Sequence, residues 1–404
     1  LVELFKQCLG IYTKIKKNII RVGQVILALT ILAGIVLIGL LFVPGSFAYN
    51  EFIKLASKAR FVNWAIAWKG FLDRPILGWG PESYDILFTK YFNPCLFTKD
   101  CGGEIWFDRT HNIIFDTLSQ LGALGILSYL FLFVSLFWVL TKKFFKEKTI
   151  GIGTFCLFVA LPVAYFVQNL TVFDMVASLM MFVFLLAFVA SIEKSQTEPV
   201  ERKFAVKRKW VGGLIAGAFA IFFWQFVLNP SKTDNYVIAG VRTAPGDDLI
   251  EKIKNEQGDK ALALFLDQNS QERLSFYKKA LETSSLGKYQ IRDFFLETSQ
   301  EVIKKAGGDH FPAKAGQAEL DFLAQELEKS VKTSPLDYRS TLKLAQLYNL
   351  YVVFGIDKLA LAEQYGQRAM ELSPSNQQSY WVMAQTNIYQ QKYDQAIILC
   401  DQAI

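Results

Sequence analysis

His111 sits in the run Asp108-Arg-Thr-His-Asn112, where a polar stretch of the chain gives way to an apolar one. Imidazole titrates near neutrality and is the usual general base of enzymes. Arg109 lies two residues before it, and Arg60 opens an earlier helical pattern that also carries Trp64, Trp68 and Phe71. Guanidinium groups hold phosphate oxygens in a rigid fork and stay charged. A base beside an anion site suits a reaction in which a hydroxyl loses its proton while a phosphate-type leaving group departs. Thr110 is expected to cap a helix that begins at His111. The positive end of that helix favours a neutral imidazole and attracts anions. Each residue also has a plainer reading. His111 would pack at a helix start, Arg60 would snorkel at a membrane surface, and Arg109 would pair with Asp108. The position at a membrane edge tips the balance towards chemistry. Lys69 and Arg74 are weaker candidates of the same kind.

The elements that must position these residues are helical. The 404 residues are 52% hydrophobic and 15% aromatic, and the formal charge is +6. Apolar residues gather in runs near the roughly 20 needed to cross a bilayer. Spans are expected at about 19–43, 111–140, 150–168, 172–192 and 210–228, with an outer loop at 44–110. The basic residues Lys14, Lys16, Lys17, Lys142, Lys143, Lys146, Arg202, Lys203 and Lys207 all fall on one side of this arrangement. By the positive-inside tendency that side is cytoplasmic, so His111 and everything after residue 229 face outwards. Residues 229–258 read as an irregular linker and 259–404 as a soluble helical domain. The fold class is therefore all-α, a polytopic helical membrane domain (1–228) followed by an extracytoplasmic helical repeat domain.

Other chemistries have little support. His111 and His310 are far apart in sequence, and no Cys/His spacing suits a metal, so no metal or other cofactor is expected. Gly78-Trp-Gly80-Pro81 reads as a turn rather than a nucleotide loop, because no strand precedes it. The basic residues flank spans and are not interleaved with aromatics, which argues against nucleic acid. Cys95 and Cys101 share the outer loop, where a disulfide can form; Cys8, Cys156 and Cys400 have no evident partner. Asn169 and Asp174 flank a short outer turn, where they either face a cavity or cap helices.

The tail repeats itself at an offset of 39 residues. Ser334-Pro335 matches Ser373-Pro374, Ser340 matches Ser379, and Ala345-Gln346 matches Ala384-Gln385. Small residues at helix contacts (Ala345, Ala369, Ala384 and Ala396) and a proline at the helix boundary resemble tetratricopeptide repeats, whose period is about 34. An insertion around 353–358 accounts for the excess. Such repeats bind protein partners, which leaves a second reading open: a membrane-anchored scaffold without catalysis.

With these residues laid out, 60–192 resembles the O-antigen ligase/polymerase family of membrane glycosyltransferases. The matching pieces are Arg60…Trp64, Pro75-Ile-Leu-Gly78-Trp-Gly80-Pro81, His111-Asn112, Gly122 and Gly125. The resemblance implies metal-independent transfer of a glycan from an undecaprenyl-diphosphate carrier to a sugar, lipid or protein acceptor, outside the bacterial cytoplasmic membrane; with a histidine base and a diphosphate leaving group, the expected transfer is inverting. It assigns His111 the base role and Arg60 the diphosphate, with Trp64 and Asn112 beside them in the matched motifs; Arg109, read from its place two residues before His111, is a further substrate-binding candidate. Family members carry more spans upstream and a further outer-loop arginine. An N-terminal half beyond Leu1 is accordingly expected.

Overall fold

The computed structural model describes residues 58–194, 208–283, 286–306 and 312–403, with isolated positions between 36 and 51. Nearly all of the expected span at 19–43, together with Cys8 and His310, lies outside the described residues. Among the described residues the chain is helical and contains no β-strand. It divides into two compact units, residues 1–65 with 95–105 and residues 66–94 with 106–404. In the first, Cys95 and Cys101 form a disulfide with Cα atoms 5.7 Å apart, inside a pair of short 3₁₀ turns at Pro94–Phe97 and Lys99–Cys101.

Helix α1 (Lys58–Asp73) is followed by α2 (Tyr84–Lys90) and by α3 (Ile113–Thr141). Among the described residues three segments are long and apolar enough to cross a membrane: Ile113–Lys146, Ile152–Asn169 and Gly212–Arg242. The first contains α3, the second is α4 (Ile152–Asn169), and both pack against α5 (Val176–Lys194). Phe133, Leu136, Leu140, Tyr165, Phe182, Leu185 and Val189 form their shared core. Helix α5 begins at Val176 rather than at residue 172, and its apolar stretch is shorter than the other three. Asp174 accepts hydrogen bonds from Tyr165 Oη (2.5 Å) and Asn169 Nδ2 (2.7 Å), which holds residues 170–175 as a turn. Asn169 and Asp174 therefore bond each other, where the sequence left cavity lining and capping open.

The third segment joins α6 (Arg208–Phe223), a π-turn over Trp224–Leu228, and α7 (Asn229–Arg242). Residues 229–258 were expected to be irregular, but they form α7 and α8 (Asp247–Gln257). Pro230 falls in the first turn of α7, where its missing N–H is tolerated, and the wide π-turn before it leaves room for the ring. The 31 residues from Gly212 to Arg242 extend about 46 Å at 1.5 Å per residue, against a hydrocarbon thickness near 30 Å. The surplus carries α7 into the helical tail, where it packs on α9 (Asp259–Thr283).

The tail continues through α10 (Lys288–Ala306), α11 (Ala313–Thr333), α12 (Tyr338–Leu350), α13 (Leu359–Leu372), α14 (Gln377–Tyr389) and α15 (Tyr393–Gln402), with neighbours in sequence packed on one another. The sequence repeat has a structural counterpart. Ser334 and Ser373 each follow the last turn of a helix, and Asp337 and Asn376 each cap the next one through a side-chain oxygen. Ala345, Ala369, Ala384 and Ala396 are all buried at helix contacts. The insertion expected at 353–358 overlaps a 3₁₀ turn at Tyr351–Phe354 closed by Gly355.

Candidate functional site

Helix α3 is two helices in series. Gly122 has φ 66° and ψ −164°, a conformation essentially restricted to glycine, and it interrupts the helix one-third of the way along. A break frees backbone groups that lipid cannot satisfy. Residues 75–80 satisfy them. Trp79 N donates to Ser119 O (3.1 Å) and Gly80 N to Gln120 O (2.8 Å), while Ala123 N donates to Pro75 O (2.7 Å) and Leu124 N to Ile76 O (3.2 Å). The two chains cross so closely that a Cβ on Gly78 would lie 2.4 Å from the Gln120 carbonyl carbon. One on Gly122 would lie 2.4 Å from Ile76 O. The glycines are required by this crossing. Trp79 fixes the crossing segment further, donating from Nε1 to Gly70 O (2.9 Å) under the Arg74 guanidinium, 4.0 Å from its ring.

Before the break, α3 buries Asp116, Thr117, Ser119 and Gln120. These polar side chains face protein, and the exposed apolar side chains of α3 (Leu121, Leu124, Leu127) follow them. Asp116 organises the turn that leads in. It accepts from Thr110 N (3.2 Å) and from Arg109 Nη1 (3.2 Å), and Glu82 also pairs with Arg109. Gln120 Oε1 accepts from Glu82 N (2.6 Å), so α3 and the segment before α2 are locked together on either side of Arg109.

His111 was expected to open the helix under a Thr110 cap. In the structure Asn112 is the cap, its Oδ1 accepting from Ile114 N (3.0 Å) and Phe115 N (3.3 Å). Thr110 Oγ1 instead donates to Asn112 O (2.7 Å). An asparagine can reach the next turn's N–H groups from an extended backbone, and this one has φ −158°. His111 is thereby pushed ahead of the helix into the left-handed region, at φ 56°. Glu82, across the Arg109 ion pair, has φ 58°. Two non-glycine residues held this way cost roughly 1–3 kcal/mol each and occur where the surroundings over-determine them.

The imidazole stands edge-on to Phe107 and Phe173, with ring centroids 5.6 and 5.3 Å away. His111 Nδ1 is 3.3 Å from Arg109 O. A carbonyl oxygen only accepts, so in the neutral ring this contact places the hydrogen on Nδ1 and the lone pair on Nε2. Asn112 Nδ2 donates to Leu170 O (3.0 Å), which ties this turn to the one between α4 and α5.

The structure thus brings His111, Asn112 and Arg109 into one turn. Residues 8–130 match the family model for O-antigen ligase. The matched stretch takes in α1, the crossing segment, His111 and the break at Gly122, and it ends within α3. The O-antigen ligase domain indicates O-antigen ligase-type function in general and membrane glycosyltransferase-like chemistry at that coarse level. A comparison with curated proteins finds no significant match. Arg60 and Trp64 lie in the matched domain on the first part of α1, within the first compact unit, where Phe61 and Trp64 are in edge contact at 5.3 Å. Arg109 has its charge offset by two carboxylates, Glu82 and Asp116, and not by Asp108 as the sequence suggested. Lys69 and Arg74 are exposed. Sequence reasoning missed Glu82 and Gln120. Its usable signals were Asp116 and Gln120, two polar residues one helical turn apart at the start of an apolar span.

Proposed function

We propose that the chain transfers a glycan from an undecaprenyl-diphosphate carrier to an acceptor hydroxyl at the outer face of the bacterial cytoplasmic membrane. The observation that carries this reading is the strained His111. Its Nε2 is available as a base, and it sits at the mouth of a broken apolar helix within the stretch matched by the O-antigen ligase family model.

In the reaction the acceptor hydroxyl passes its proton to His111 Nε2 as its oxygen attacks the anomeric carbon. The bond from that carbon to the diphosphate oxygen breaks with inversion, and the diphosphate leaves as an anion. Arg60 is assigned to the diphosphate on the sequence resemblance, with Trp64 beside it on α1. Arg109 takes a positioning role, because a guanidinium already matched by two carboxylates has little charge left for a phosphate. Asn112 holds the histidine turn against Leu170 and caps the helix beneath it. The tail is proposed to be a tetratricopeptide-type array outside the membrane, supported by α12 and α14, which begin 39 residues apart with the same capping positions, each followed by a packed partner helix.

The test is transfer in vitro from a lipid-linked donor, with donor binding measured separately. His111→Ala is expected to lose about 100-fold or more of the rate, the usual size of a general-base effect, with donor affinity kept. Turnover near that of the parent removes the base role. Unchanged donor affinity in Arg60→Ala removes the diphosphate assignment.

A further inference from the structure

The tail is docked on the loop that precedes the histidine turn. Ser373 Oγ donates to Thr89 O (2.6 Å) and Ser375 Oγ to Phe92 O (3.0 Å). The Arg339 guanidinium lies 5.0 Å from the centre of the Trp106 ring. Of the two Ser-Pro turns of the sequence repeat, the one at Ser373 bonds the loop and the one at Ser334 borders the space beside it. Between loop and tail lies a cavity of ≈ 570 Å³, well inside the range that small-ligand sites occupy.

Its lining is rich in acceptors. Five carboxylates border it, those of Glu82, Asp85 and Asp108 from the loop and Asp293 and Asp337 from the tail. Ionised carboxylates only accept hydrogen bonds, so a fitting ligand must be dense in donors. Internal cations already answer two of the five: Arg109 pairs with Glu82, and Arg339 (2.9 Å) and Lys343 (2.9 Å) pair with Asp293. The surplus negative charge that remains repels phosphate and uronate groups. Among the described residues these carboxylates do not converge into a set able to hold a metal ion. Trp106 and Tyr289 add aromatic surface to the same wall, which suits ligands with one apolar face and a hydroxylated edge. Glu82 belongs both to this wall and to the ion pair that braces Arg109, two residues from His111, so an occupant here adjoins the histidine turn.

We propose that this cavity binds a neutral saccharide, the sugar portion of a substrate of the transfer reaction. The inference rests on the glycosyl-transfer reading and places its glycan on the joint between loop and tail. The lipid-linked donor and the acceptor present the same hydroxyl chemistry, and the kinetic part of the test separates them.

The experiment uses the full chain in nanodiscs against a panel of neutral oligosaccharides, matched uronic-acid oligosaccharides and a decalysine peptide, with binding followed by calorimetry. Neutral sugars are expected to bind and uronic-acid sugars not to. Tyr289→Ala and Asp108→Asn, both at exposed positions, are each expected to weaken binding about tenfold. Trp106→Ala is expected to do so more strongly, and the first two variants stand in for it if it misfolds. In transfer assays the same variants raise KM for one substrate with kcat kept, and the substrate affected identifies the sugar's source. His111→Ala leaves saccharide binding unchanged. Decalysine binding in preference to sugars, equal binding of uronic-acid sugars, or unaltered affinity in Tyr289→Ala and Asp108→Asn each overturn the proposal. Normal transfer by His111→Ala would instead overturn the transfer reading and leave the binding result standing.

Discussion

Replacing Gly122 with alanine tests whether glycine geometry maintains the helix break beneath the histidine turn. The substitution forces φ 66°, ψ −164° on a residue with a Cβ, at roughly 1–3 kcal/mol. The new atom would also meet Ile76 O at 2.4 Å, backbone that cannot swing aside. Relief requires the crossing segment to lift, with at least two of its four hydrogen bonds lost at about 0.5–1.5 kcal/mol each. Strain and lost bonds together give about 2–6 kcal/mol. Hydrogen exchange in nanodiscs reads this locally at four amides, Trp79, Gly80, Ala123 and Leu124. At 1.4 kcal/mol per tenfold, the lower bound corresponds to exchange about 30-fold faster. Gly153→Ala is the control. It lies in α4, and a Cβ added there would meet nothing within 4 Å, so it should leave these amides unchanged. Exchange within about threefold of the parent in Gly122→Ala would refute the argument that glycine geometry, and not the surrounding packing, maintains the break.

Two further outcomes follow from the loop. Changing Cys95 and Cys101 together to serine opens a loop of separation 6, which costs about 2 kcal/mol on loop-closure arithmetic. Limited proteolysis should then cut between residues 95 and 105 first, and an unchanged cleavage pattern would count against this. Asp85 supplies a pH dependence. Burial, with the nearby carboxylates of Asp337 and Asp108, pushes its carboxyl up to about 6, whereas in the unfolded chain it titrates near 3.9. Between those values the folded chain holds the extra proton, so this group lowers stability as pH rises from about 4 to about 6 and adds no further change above that. Asp85→Asn should remove that part of the slope in thermal midpoints taken from pH 4 to 7. Parallel curves for parent and variant would refute it.

The sequence was most legible where composition alone decides. Long apolar runs become α3, α4 and the α6–α7 segment because nothing but a helix satisfies the backbone in lipid. The offset of 39 residues was readable because the same small residues and capping positions must recur wherever equivalent helices meet. The site was legible in part. His111, Asn112 and Arg109 share a turn, but which residue caps the helix depended on side-chain reach, and Asn112 reaches two amides that Thr110 does not. The stretch 229–258 was read as irregular, but Pro230 falls in the first turn of α7, where a preceding π-turn accommodates it and the helix continues. Gly122 stood out in the sequence only as a piece of the family resemblance, since a left-handed φ leaves no mark on local composition. Its partner, the crossing segment at 75–80, lies some forty residues earlier in the chain, and only folding brings them together. For the same reason the partners of Arg109, Glu82 and Asp116, displaced the nearer Asp108.

The most direct measurement is single-turnover transfer from a lipid-linked glycan under saturating acceptor, comparing the parent with His111→Gln. Glutamine keeps a polar side chain of similar reach but cannot take up the proton. If His111 is the base, the chemical step slows by about 100-fold or more, with the donor bound as tightly as before. A chemical step within a few-fold of the parent would contradict it, and the imidazole would then be a structural part of the turn.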